Sequence, residues 1–162
     1  ALSLAGLIGH MFNASYSASK HALIGFTKSI RPELKPFNIK VVSVEPGYHK
    51  TEIIRANANL SENFYDKTSP LFEYNRGFLR LMLNKIVPRA ADAKNVTDKI
   101  VEIMRTPNPK SHYIIGKDAA FTTIAQWLGL MGLLEKFFLR KLNDAANREN
   151  KRAEAKKSAG KK

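Results

Sequence analysis

Cysteine is absent from all 162 residues. That excludes a disulfide framework, a thiol nucleophile and a zinc–thiolate site, and it fits a reducing compartment. The nine glycines are scattered, and none forms a closely spaced trio opening a helix. The chain therefore holds no glycine-rich turn of the kind that cradles a dinucleotide pyrophosphate. The histidines are His10, His21, His49 and His112, and their spacing suggests no metal site. Acidic residues are few, 14 against 27 lysines and arginines, which leaves a net charge of +13. No apolar run reaches the ~20 residues of a membrane-spanning helix. The most apolar stretch, Ala119 to Leu142, is interrupted by Glu135 and Lys136. The first residue is Ala1, so no N-terminal targeting signal is legible. The length suffices for one domain with a real core.

What is present is a pattern suited to proton transfer. Tyr16 and Lys20 lie four residues apart in Tyr16-Ser17-Ala18-Ser19-Lys20, and Ser3 precedes the tyrosine. On a helix, residues i and i+4 share a face. A free phenol, with a pKa of ~10, is a poor acid or base at neutral pH. A cation one turn away favours the phenolate and draws that value toward the working range. A serine hydroxyl opposite can hydrogen-bond a substrate oxygen. Together the groups suit proton exchange with an alcohol or ketone oxygen. The bare pair is common in helices, and a surface tyrosine above a solvated lysine is its plainest reading. The small residues around it, Ala14, Ser15, Ser17, Ala18 and Ser19, allow a backbone or cofactor to approach closely. A β-branched run, Ile39 to Val44, follows and ends in Glu45-Pro46-Gly47, with Thr51 beyond.

Three segments in this order, Ser3-Leu4-Ala5-Gly6, Tyr16-Ser17-Ala18-Ser19-Lys20-His21-Ala22-Leu23 and Pro46-Gly47-Tyr48-His49-Lys50-Thr51, resemble the C-terminal portion of short-chain dehydrogenases/reductases. The likeness runs from residue 1 to about residue 117. Phe37 to Thr51 is most similar to the branch with retinol and 17-beta-hydroxysteroid dehydrogenases and their bacterial relatives.

The resemblance implies an α/β fold, the second half of a Rossmann-like doubly wound parallel sheet. It implies NAD(P)-dependent interconversion of an alcohol and a ketone or aldehyde on an apolar substrate. Ser3 would orient the substrate oxygen, Tyr16 would act as general acid/base, and Lys20 would assist it and hold the nicotinamide ribose. Pro46, Gly47, His49 and Thr51 would hold the carboxamide end of NAD or NADP. Glu45 reads as structural. The missing glycine-rich turn makes the chain read as a fragment starting partway through a longer enzyme. A homodimer pairing through the tyrosine-bearing helix is also implied. The rival reading is a catalytically inactive interaction or membrane-binding module derived from this fold.

Apolar spacing predicts a helix from about Ala14 to Leu34, with Ala22, Leu23, Phe26 and Ile30 on its apolar stripe. Pro32 predicts a kink or an early end near Arg31, and Pro36 predicts a non-helical Lys35. Ile39 to Val44 suits a buried parallel strand. Helical pieces in 51–87 should be separated by Thr68-Ser69-Pro70 and by Gly77, and their apolar residues would cover the substrate or pack a core. Ala91 to Arg105 reads as an amphipathic helix capped by Asp92 or Asn95, with Val96, Ile100, Val101, Ile103 and Met104 inward. His112 to Ile115 reads as a last strand closed by Gly116.

The organisation expected is a catalytic half over 1–117, an apolar helical segment over 118–142 and a solvated, disordered basic tail over 143–162. The apolar segment reads as two short helices that cap the substrate cleft or lie on a membrane surface. The tail has no aromatic residues to stack on bases, which disfavours nucleic acid. The location expected is cytoplasmic, with peripheral membrane contact as the second reading.

Overall fold

The computed structural model of the protein describes residues 2–51 and 61–159. These divide into two units: residues up to Lys50 with Ala91–Leu128, and residues from Thr51 to Ala90 with those from Gly129 onward.

The first unit is built on parallel strands and helices, the α/β arrangement expected. Helix α1 spans Ala14–Leu34. Its small polar residues turn back onto their own helix: Ser19 Oγ donates to the Tyr16 carbonyl (2.7 Å), and Thr27 Oγ1 to the Leu23 carbonyl (2.7 Å). Such bonds satisfy the hydroxyls within the helix, although they slightly weaken and can bend it. Pro32 lies inside α1, and the helix does not end near Arg31 as expected. Lys35 is helical too (φ −57°, ψ −41°), because Pro36 sits early in a 3-10 turn, Lys35–Phe37, that extends α1. Asn38, left-handed at φ 58°, then ends it.

The stripe of α1 that faces inward is not the apolar one. Ser17 and Ile24 are buried, with Lys20, Thr27 and Arg31 half-buried along the same face. Ala22, Leu23 and Phe26 point outward, Phe26 being 61% exposed. The inner face takes the turn that follows Ser3 at close range, and the small residue that allows the approach is Gly6. A Cβ on Gly6 would stand 2.8 Å from the Lys20 carbonyl oxygen and 2.7 Å from Ile24 Cδ1. The 3-10 turn Leu4–Gly6, fully buried, thus seats directly on α1.

Strand β1 is Ser43–Pro46, shorter and later than the expected Ile39–Val44. Its partner β4 has only four residues, His112–Ile115, and parallel pairing runs from Ser43 opposite His112 to Pro46 opposite Ile115. Chain preceding Ser43 has no strand left to pair with on that side. On the other side Leu2 N–H donates to the Val44 carbonyl (2.7 Å), so the segment entering Ser3 flanks β1. Arg31 ties this end together, its guanidinium donating to the carbonyls of Val41 (3.0 Å) and Ser111 (2.9 Å). A second parallel pair joins β2, His49–Lys50, to β3, Ala91–Asp92. Helix α3, Lys94–Arg105, starts three residues later than expected, because Ala91–Asp92 pairs as β3; its N-cap is Ala93, without a side-chain cap bond, and Asp92 Oδ1 accepts the Lys94 N–H (2.8 Å) from one residue further back. Ile103 is buried, but Val101 and Met104 are exposed rather than inward. Gly116, at φ 110°, turns β4 into α4, Lys117–Trp127.

The second unit pairs α2, Phe72–Leu81, with α5, Met131–Ala159. Gly77 does not break α2. A Cβ there would lie 2.9 Å from the Ala146 nitrogen, so the glycine marks the close helix crossing. The apolar 119–142 stretch does form two helices, with Gly129 left-handed between them. The second is not short: α5 continues through residues expected as a solvated tail. Glu149 anchors that extension, its side chain 3% exposed and forked by Arg80 at 2.7 and 2.9 Å, with Arg152 at 3.0 Å. A buried carboxylate is stable only when so paired.

The seat of the Leu4–Gly6 turn generates a prediction. Gly6→Ala forces a methyl into the Lys20 carbonyl and should cost about 1–3 kcal/mol, the usual penalty of overpacking. The check is the urea midpoint of the variant, which should fall; an unchanged midpoint contradicts the seat.

Candidate functional site

Tyr16 and Lys20 share one face of α1, both half-buried, with Lys20 Nζ 5.3 Å from the centre of the Tyr16 ring. Among the described residues no carboxylate forms an ion pair with Lys20. Its charge acts on the phenol and on whatever occupies the adjoining space. Ser3 caps the turn that seats on the Lys20 backbone. Its Oγ accepts the Ala5 N–H (3.2 Å), which leaves the hydroxyl hydrogen available for donation.

The Pro46–Thr51 segment arrives from the end of β1. Gly47 N–H donates to the Ile115 carbonyl (2.8 Å), and Tyr48 N–H to the Asp118 carboxylate (2.7 Å). Both amides are thus used within the protein and are not spare for a ligand. His49 Nδ1 lies 3.0 Å from the Gly47 carbonyl oxygen, and its Nε2 is buried without a hydrogen-bond partner. Thr51 is exposed at the edge of the described residues. Among the described residues His49 Nε2 has no hydrogen-bond partner and the Lys20 ammonium, beside the Tyr16 ring, is in no ion pair, so both have bonding capacity left for a ligand. They fit a ligand rich in hydroxyl and amide groups, as a nicotinamide riboside is.

Two features escaped the sequence. Asp118 holds the segment in place: a Cβ on either Gly47 or Gly116 would collide with its carboxylate. Seventy residues separate Asp118 from Tyr48, and only the two glycines hinted at a close approach. Tyr48 lies over His10, with ring centroids 6.1 Å apart and Oη 3.4 Å from His10 Nδ1. Burial, then the Asp118 carboxylate and Tyr16, push the Tyr48 phenol up to about 12. Burial likewise holds the His10 imidazole below its ordinary value. Tyr48 therefore stays a neutral phenol across the physiological range, beside Tyr16. Glu45, read from the sequence as structural, is 2% exposed, its Oε2 buried without a hydrogen-bond partner and 3.9 Å from His112 Nδ1. It stands in the strand, not at the ends where the other groups meet.

The sequence model of the short chain dehydrogenase family matches residues 1–61. Every residue named above for chemistry, from Ser3 to Thr51, falls in that span. The chain is 34% identical over 114 residues to the probable short-chain type dehydrogenase/reductase VdlC of Helicobacter pylori, covering 70% of this chain and 41% of that protein. It is 29% identical over 153 residues to the NADPH-dependent 1-acyldihydroxyacetone phosphate reductase of Saccharomyces cerevisiae, covering 92% and 50%. It is 33% identical over 128 residues to retinol dehydrogenase 16 of Rattus norvegicus, covering 74% and 40%. The chain therefore spans about two-fifths to half the length of these relatives.

Tyr48 provides a pH test. Its folded value lies above the unfolded ~10, so its contribution to stability is whole below pH ~10 and is lost as pH rises through about 12. In an ultraviolet titration of tyrosinate, one of the five tyrosines should ionise late, and Tyr48→Phe should abolish that late step. A Tyr48→Phe protein with the same late step contradicts the assignment.

Proposed function

For this chain, which belongs to the short-chain dehydrogenase family, we propose the proton-transfer half of an NAD(P)-dependent oxidoreductase that interconverts a hydroxyl and a carbonyl group. The observation that carries the reading is the Tyr16–Lys20 pair on α1, with the Ser3 turn seated on the Lys20 backbone. In reduction, the Tyr16 hydroxyl donates its proton to the substrate oxygen; in oxidation the Tyr16 phenolate takes that proton from the alcohol. The Ser3 hydroxyl donates a hydrogen bond to the same oxygen and polarises it. The Lys20 ammonium favours the anionic phenol after proton loss and has donors left for ribose hydroxyls. The nicotinamide, when bound, supplies or accepts the hydride. His49 and Thr51, with the Pro46-Gly47 turn beside them, would hold its carboxamide end.

A glycine-rich nucleotide-binding half completes the enzyme in this reading. Two relatives are named for retinol and for an acyl-bearing phosphate, which supports an apolar, lipid-like substrate. The outward Leu23 and Phe26 of α1 support a homodimer formed through that helix.

Tyr16→Phe removes the proton donor and keeps the ring. In the complete enzyme, turnover with NADH or NADPH should fall by ~100-fold or more, the lower range of general acid/base catalysis. Near-normal turnover of the phenylalanine variant would sink the assignment.

A further inference from the structure

We propose that the outward face of α5 docks on an anionic lipid bilayer. One stripe of this helix, Leu142, Ala146 and Glu149, is buried, and Glu149 is gripped by Arg80 of α2. The opposite stripe, at steps of three and four residues, reads Leu133, Phe137, Arg140 and Lys141, Asp144, Arg148, Lys151, and every one of these is exposed. It begins apolar and becomes cationic, with four cations against one acid. Leu133 is 65% exposed and Phe137 53%. The Lys141 ammonium lies 5.5 Å from the centre of the Phe137 ring, so charge and aromatic surface are presented side by side.

Two physical terms choose the occupant. A lipid surface takes the Leu133 and Phe137 side chains into its acyl boundary while its phosphates meet the cations. A nucleic acid backbone would use the cations and leave both apolar side chains in water. A second copy pairing through the same face sets like charges against like, since a two-fold interface matches a patch with itself. Among the described residues no helix is long and apolar enough to cross a membrane. The contact is therefore with the surface.

The test is co-sedimentation of the chain with vesicles of phosphatidylcholine alone or mixed with phosphatidylserine. Binding should appear with the phosphatidylserine vesicles at low salt and weaken at high salt. At ~1 kcal/mol per cation, Arg140→Gln with Lys141→Gln should lower partition by ~30-fold. Leu133→Ser with Phe137→Ser should also reduce it. The charge-matched pair Lys94→Gln with Lys99→Gln, on α3, should leave partition within a few-fold of wild type. Circular dichroism shows that each variant keeps its helix. Protein remaining in the supernatant overturns the proposal, as does an α3 variant that binds as poorly as the α5 variant. So does a single-stranded oligonucleotide that displaces the vesicles at equal phosphate concentration. A dimer in sedimentation velocity that Phe137→Ser dissociates assigns the face to a second copy instead.

Discussion

Gly6 has no side chain, and the Lys20 carbonyl lies where a Cβ would stand. That contact brings the turn capped by Ser3 onto the helix that carries Tyr16 and Lys20. Leu4, Ala5 and Ile24 are buried around it, and the Leu4 and Ile24 side chains each add ~1.5–3 kcal/mol of apolar stabilisation. The site thus inherits its order from a packed contact rather than from its own polar groups. A hydroxyl delivered by a loop needs such a seat to stay in register with a phenol on a helix.

Polar ties of long range complete the frame. Arg31 joins the end of α1 to the chain entering β1 and β4. Asp118 reaches across from α4 to the Tyr48 amide and fills the space that Gly47 and Gly116 leave open. The same carboxylate raises the Tyr48 phenol, which burial has already made reluctant to ionise. One acid therefore both places the Pro46–Thr51 segment and keeps the neighbouring tyrosine neutral. Tyr16, with a cation beside it and no such carboxylate bond, has the contrasting surroundings.

Much of this was legible in the sequence because it depends on local pattern. The bounds of α1 follow from its spacing, and His112 to Ile115 from its β-branched, aromatic run closed by glycine. Other features needed distant chain. β1 starts at Ser43 because β4 has only four residues to offer. Gly77 stays helical because α5 crosses there, and Pro32 is tolerated within α1. The apolar residues Ala22, Leu23 and Phe26 of α1 face out, and Ser17 and Ile24 face in, an orientation that spacing alone did not indicate. Asp118 gave no local signal, since its partners lie seventy residues away. The 143–159 segment looked like a solvated run, yet it holds Glu149, and the arginines that bury that carboxylate come partly from α2.

The central claim is that Tyr16 and Lys20 work as one unit. A double-mutant cycle on turnover in the complete enzyme, with Tyr16→Phe, Lys20→Met and the pair together, tests it directly. Groups that act as a unit are strongly non-additive. The account predicts that the double variant is barely slower than Tyr16→Phe alone. Losses that multiply, each variant lowering turnover by its full factor in the presence of the other, would contradict it.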